Sequence, residues 1–234
     1  MKKIELLFPE LCNIYGESYN VEYLKRSNPE NIEVFNTNHR DTPAFVTEDV
    51  DMIYLGCTTE RKQEQIIEIL KPHKERILEL IDKGVIFLVT GNSPEIFGNY
   101  IKDGERTIEA LGIFDFYSVR YMDRERHNSQ YIGKYGDLTM LGHRSQFSYA
   151  YGEFENNFVD IERGIGMNPE TKREGIHVNN FFATYSLGPY LILNPYFAKE
   201  LLAKMGLDTT LCYEKEIIEA YDYRLKELLR TLHY

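Results

Sequence analysis

The chain has 234 residues, enough for one large domain or two small ones, and its 43% hydrophobic and 27% charged content is that of a globular protein. A formal net charge of -10 argues against nonspecific nucleic-acid binding, which needs a basic face to displace counterions. No stretch approaches the roughly 18–20 apolar residues that cross a bilayer, and the scattered Cys12, Cys57 and Cys212 form no CxxC or Cys/His pattern for a metal.

Residues 4–8 read as a first strand, ended by Pro9. The opening MKKIELLFPEL has too short an apolar run for a secretion signal. With an odd cysteine count, this sets the expectation of a reducing, cytoplasmic setting. Residues 19–27 read as a helix, and 31–36 and 51–55 as strands. Thr58 or Thr59 can cap a helix starting near Glu60, in which Ile66, Ile67, Ile69 and Leu70 share a face. Pro72 stops or restarts it. Ile77, Leu78, Leu80 and Ile81 then carry an apolar face to Gly84, a helix stop.

Residues 85–89 are apolar without alternation, as in a strand buried on both faces of a parallel sheet. They run into a sharp turn and then a helix, through Gly98. Strand and helix alternate this far, so the spacing predicts an α/β fold with right-handed crossovers. Ligands in such folds sit beyond the carboxyl ends of the strands, where the loops after Leu55 and Val89 become neighbours.

From residue 114 to 158 the chain turns Tyr-rich and alternating. Antiparallel strands are expected at 117–121 and 130–135, with turns at Asn128-Ser129 and Tyr135-Gly136-Asp137. Residues 159–167 and 176–185 add strands. Asn194-Pro195 opens a helix to Met205, closed by Gly206, and Thr210 caps a last helix to Leu232. Arg120, Asp123, Arg124, Glu125, Arg126 and Arg144 read as charges of a solvated hairpin, able also to meet an anionic ligand or acidic partner. His143 and His177 read as hydrogen-bonded structural histidines, and His39, His73, His127 and His233 as solvated ones. The expectation is a single domain over residues 1–234.

Eight segments, in order, resemble CobB/CobQ-like glutamine amidotransferases of class I. Phe8-Pro9-Glu10-Leu11 with Asn13-Ile14-Tyr15-Gly16 is similar to the YPDLLNLYGD-type opening of lipid II isoglutaminyl synthase amidotransferase subunits. Ile53–Thr58, with Arg61 and Gln63, resembles the family's GGGQD oxyanion loop. Thr90–Gly98 follows as the elbow, and Gly142–Gln146 stands where GFENH is frequent. Gly164–Asn168 resembles GxGNN, Glu174-Gly175 resembles EG, Thr184–Pro189 resembles TYLHGP, and Asn194-Pro195 follows. The resemblance implies a flavodoxin-like or Rossmann-like, mostly parallel sheet flanked by helices, with a β-rich insertion. It implies no cofactor and no metal, and a Mur-ligase-like or cobyric-acid-type synthetase as partner.

In that family a Cys on a strained turn attacks the glutamine amide, a His takes and returns the proton, and backbone N–H groups hold the oxyanion. Here the Cys position falls on Thr90 or Gly91 and the His position on Leu187, which cannot accept a proton. The expected pocket gathers Gly56, Cys57 and Thr58, then Thr90, Gly91, Asn92 and Ser93, then Gln146, Tyr185, Ser186 and Leu187. Ser93 reads as a helix cap before Pro94, and Cys57 as a small buried filler. The leading expectation is an amidotransferase-like subunit without ordinary glutaminase activity. Two alternatives stay open: a hydrolase or glutaminase rebuilt on Ser93, Thr90 or Cys57, and a module that binds glutamine or another small ligand without chemistry.

Overall fold

The structure, a computed structural model, describes residues 1–233. In chain order, β1 (Lys2–Leu7) leads to α1 (Tyr19–Ser27), β2 (Ile32–Thr37) and β3 (Met52–Leu55). Then come α2 (Glu60–Leu70), α3 (Lys74–Asp82) and β4 (Ile86–Val89). The β-rich part holds β5 (Tyr100–Asp103), β6 (Arg106–Glu109), β7 (Phe116–Arg120), β8 (His127–Tyr135), β9 (Leu138–Gln146), β10 (Ser148–Gly152), β11 (Val159–Arg163) and β12 (Arg173–Glu174). The chain returns through β13 (Ile176–Val178) and β14 (Phe181–Ala183) and ends in α4 (Tyr190–Leu193), α5 (Pro195–Lys204) and α6 (Glu214–Thr231).

The central sheet has the order β13-β14-β4-β3-β1-β2, parallel except for β13 at its edge. Because successive strand residues point to opposite faces, the unbroken apolar runs serve both. Ile53, Leu55, Phe87 and Val89 meet Ile66, Ile67, Leu70, Ile77 and Leu80 of α2 and α3. Met52, Tyr54, Ile86 and Leu88 meet Leu24 of α1, Leu191 of α4 and Phe197 and Leu201 of α5. Each of these aliphatic side chains contributes roughly 1.5–3 kcal/mol on burial.

Helix boundaries follow the local signals. Thr59 caps α2 by accepting the Lys62 N–H at 3.4 Å. Pro72 sits in a 3₁₀ turn (Lys71–His73) that redirects the chain into α3, and Gly84 ends α3 at φ +76°. Pro195 takes the first position of α5.

Two smaller four-stranded sheets make up the β-rich part, in the orders β10-β7-β5-β6 and β12-β11-β8-β9. The second is built on the β8–β9 hairpin, which turns at Gly136 (φ +54°), as expected. Several expectations are corrected. Asn128-Ser129 is not a turn: both residues pair inside β8, and half-buried His127 stands on that strand beside Tyr149. The β5–β6 hairpin carries too little apolar pattern to be read from the sequence. The elbow is followed by a 3₁₀ segment (Ser93–Phe97) rather than an α-helix. Thr210 bonds Asp208 and does not cap α6, which starts after Tyr213. Arg120 and Arg144 are buried, not solvated. Arg120 donates to Gln63, Glu64, Asp103 and the Glu60 carbonyl, and Arg144 to the Ile165 and Gly166 carbonyls.

Candidate functional site

Parallel pairing of β3 with β4 (Leu55 beside Val89) and of β4 with β14 (Val89 beside Ala183) brings three loops together at one end of the sheet. Thr90 N–H donates to the Leu55 carbonyl at 3.0 Å, and Gly91 N–H to the Ser186 carbonyl at 3.1 Å. Between the loops lies a cleft of about 140 Å³. Of the expected pocket residues, Cys57, Thr58, Gly91, Asn92, Gln146, Tyr185 and Leu187 line it. Gly56, Thr90, Ser93 and Ser186 lie behind its wall, buried.

The backbone distinguishes the two candidates for the strained turn. Gly91 has φ +68°, the left-handed conformation of a sharp elbow, while Thr90 ends the strand pairing. A Cβ on Gly91 would overlap Cys57 Cβ and stand 2.7 Å from Cys57 Sγ. Cys57 thus fills the space that a side chain at the elbow would use. Its thiol donates to Asn92 Oδ1 at 3.4 Å. Burial, and next the Glu17 carboxylate, push that thiol up to about 12. A thiolate is therefore disfavoured there.

The first loop's donors are satisfied from within. Cys57 N–H donates to Glu17 Oε2, and Thr58 N–H to Asn92 Oδ1 at 3.0 Å. Glu17 also accepts from Thr90 Oγ1 at 3.5 Å. Thr90 Oγ1 is 2.8 Å from Tyr54 Oη, and Asn20 donates to that phenol at 2.9 Å. Burial raises the Glu17 carboxyl to about 7, against the lowering effect of its hydrogen bonds to the Cys57 and Gly188 backbone and to Thr90.

Ser93 does not cap the 3₁₀ segment. Its Oγ donates to the Gly56 carbonyl at 2.6 Å, and Asn92 takes the cap position. Beneath it, Glu95 accepts from Ser148 and from Tyr185 Oη (3.1 Å), and from Gln63 Nε2 (3.2 Å). Arg120 donates to Gln63 Oε1 at 2.7 Å, which extends the network to Glu64 and Asp103. Burial raises the Glu95 carboxyl, and Ser148, Arg120, Gln63 and the Tyr185 hydroxyl hold it down in part.

Gln146 donates to the Ser148 carbonyl at 2.5 Å, and its buried Oε1 has no partner among the described residues. At the mouth, Arg126 donates to Tyr15 Oη at 2.5 Å and lies over the Phe147 ring. No histidine lines the cleft among the described residues. Leu187 N–H donates to the His143 carbonyl, but the His143 ring lines a separate hollow with Gln130 and Leu232. His177 stacks on Phe182 at 4.6 Å. Cys12 lies buried, with its carbonyl against Gly56. No cluster of three His, Cys, Asp or Glu side chains fit for a metal occurs among the described residues.

Sequence reasoning missed Glu17, Asn20, Tyr54 and Glu95 as parts of the site, and named Arg126 only as a charge of the hairpin, without its place at the cleft mouth. Glu17 had a local signal, an acid directly after the Tyr15-Gly16 turn. The others are brought in by pairing and packing over separations of 34 to 111 residues.

Comparison with known proteins adds to this geometry. Residues 3–192 match the CobB/CobQ-like glutamine amidotransferase domain. The glutamine-hydrolyzing lipid II isoglutaminyl synthase subunit GatD of Staphylococcus aureus (strain N315) is 27% identical, over 93% of this chain and 90% of its own length. The subunit of the same name from Streptococcus pneumoniae (strain ATCC BAA-255 / R6) is 27% identical, over 92% and 88%. The crystal structure of a glutamine amidotransferase from Thermotoga maritima superposes with a TM-score of 0.54 at 12% identity, over 97% of this chain and 93% of that one. This likeness bears on the fold.

Proposed function

The chain belongs to the CobB/CobQ-like glutamine amidotransferase family, and from that premise we propose that it is an amidotransferase-like subunit that does not hydrolyse glutamine. It keeps the frame of the glutaminase beside a synthetase of Mur-ligase-like or cobyric-acid type, in cell-wall amidation or a related pathway. Both curated relatives bear the name of a synthase subunit, which supports that setting.

One observation carries the loss of chemistry: the elbow position is Gly91, and the room for a nucleophile above it is filled by Cys57. Glutaminase chemistry needs a thiolate, a base and free N–H donors. The Cys57 thiol is pushed up to about 12, and Leu187 stands at the family's base position. The N–H groups of Cys57 and Thr58 are held by Glu17 and Asn92.

Of the three replacement nucleophiles, Ser93 and Thr90 are buried and hydrogen-bonded to Gly56 and to Tyr54. Cys57 alone reaches the cleft. A second reading, in which the cleft holds a small ligand and no bond is broken, is supported by the polar residues Thr58, Asn92, Gln146 and Ser148 in its lining.

Ammonia release from L-glutamine by the purified chain, with and without its synthetase, tests the proposal. The expected result is no release above buffer in either case while the two proteins bind. Release that disappears in Cys57→Ala or Ser93→Ala would overturn it.

A further inference from the structure

A second cavity, of about 310 Å³, shares no lining residue with the cleft. Its floor is apolar: Phe114, Phe116, Phe154 and Ile176. Its rim carries Asp115, Glu153 and Glu155, all exposed. No lysine or arginine lines it, and none of the three carboxylates is in an ion pair among the described residues.

The wall is held in place. Phe154 has φ +44°, a conformation that is costly for a residue with a side chain. Arg173 fixes it there by donating to the Glu153 and Phe154 carbonyls at 2.9 and 3.2 Å. That backbone turns the Phe154 ring inward, 6.1 Å from the Phe116 ring, and leaves the neighbouring glutamates outside. Arg173 is engaged here by carbonyl oxygens and forms no ion pair with the carboxylates of Glu153 and Glu155.

We infer that this cavity is a docking site for a lysine side chain presented by a partner protein between apolar residues. Both layers fit. The apolar stem of a lysine lies along aromatic rings, and its ammonium meets the ring faces and the carboxylates at the rim. Complementary charge chooses a cation over a neutral or acidic segment. The site lies apart from the cleft, and its occupancy requires no amidotransferase chemistry.

The test titrates the full chain with a blocked leucine-lysine-leucine peptide, its norleucine counterpart and butylammonium chloride, followed by amide chemical shifts. The lysine peptide is expected to shift residues 114–116, 153–156 and 176 and to bind at least about tenfold more tightly than the norleucine peptide. Glu153→Gln with Glu155→Gln should remove that preference. Phe154→Leu, which keeps an apolar side chain in the core and removes the ring, should weaken binding of the lysine peptide at least about tenfold. Equal binding of the two peptides, shifts elsewhere, or no shift at millimolar peptide would overturn the inference. Butylammonium binding as tightly as the peptide would overturn the protein partner and leave a small organic cation as the occupant.

Discussion

The side chain of Cys57 stands over the α-carbon of Gly91, so that a Cβ on Gly91 would lie 2.7 Å from the Cys57 sulfur. The two positions exclude each other: one side chain fits above the elbow, and the first loop supplies it. Gly91→Cys should therefore destabilise the fold by about 2–4 kcal/mol, from overpacking and from a side chain at φ +68°. Adding Cys57→Gly should recover most of the overpacking part. Urea unfolding of the two variants measures this, and equal stability of single and double variants would refute the exclusion.

Cys57 should alkylate slowly although it lines the cleft. A thiol at about 12 instead of 9.0 has three units less thiolate character, a thousandfold smaller thiolate fraction at neutral pH. The higher basicity returns a factor of roughly 20–30 in intrinsic nucleophilicity, so a net ~30–60-fold slowing against free cysteine remains. Mass spectrometry of the native chain with iodoacetamide reads the rate at this site. Alkylation as fast as that of free cysteine would mean that the thiol is activated.

Glu17 should make stability fall as pH rises. Its folded value, about 7, lies above the ordinary 4.5, so between those pH values the folded state binds more protons than the unfolded one. The stabilisation is complete below 4.5 and is lost by about pH 7. The 2.5-unit difference corresponds to about 3 kcal/mol at 1.36 kcal/mol per unit. Glu17→Gln keeps an oxygen for the Cys57 N–H and removes this titration. Its stability relative to the parent should rise by about that amount from pH 4.5 to 8, in urea unfolding. A constant difference would show that Glu17 does not titrate in this window.

Arg120 should be needed for the fold. Its side chain is 1% exposed and links Gln63, Glu64 and Asp103, with buried Glu95 one hydrogen bond further on. Arg120→Met removes the buried cation, leaves Glu64 and Asp103 only the exposed Arg106 and leaves Gln63 Oε1 without its donor, and should cost about 3–5 kcal/mol. Arg106→Ala, at an exposed pair with Glu64, should cost under about 1 kcal/mol. Thermal unfolding of both variants checks the contrast.

Much of the fold was legible because its signals are local. The apolar runs at 52–55 and 86–89 need burial on both faces, and Thr59, Pro72, Gly84 and Pro195 each act within a turn of where they stand. The insertion was less legible. Asn128-Ser129 looks like a turn in isolation, yet nine-residue pairing with β9 draws both into β8. Arg120 and Arg144 look like solvated charges because their partners lie 17 to 60 residues away in one case and are distant carbonyls in the other.

At the site, the sequence alone supplied the residue types and, through the family resemblance, the expectation that the Cys position falls on Thr90 or Gly91 and the His position on Leu187. Side-chain chemistry belongs to a residue wherever the chain places it, so that much needs no coordinates. Only the tertiary structure decided that Gly91 rather than Thr90 holds the strained elbow, that Cys57 fills the space above it, and that Glu17 and Asn92 occupy the N–H groups of the first loop. Those are facts of backbone conformation and of distances under 4 Å between segments some 35 to 40 residues apart. Parallel pairing of β3 with β4 fixes them, and no local pattern encodes them.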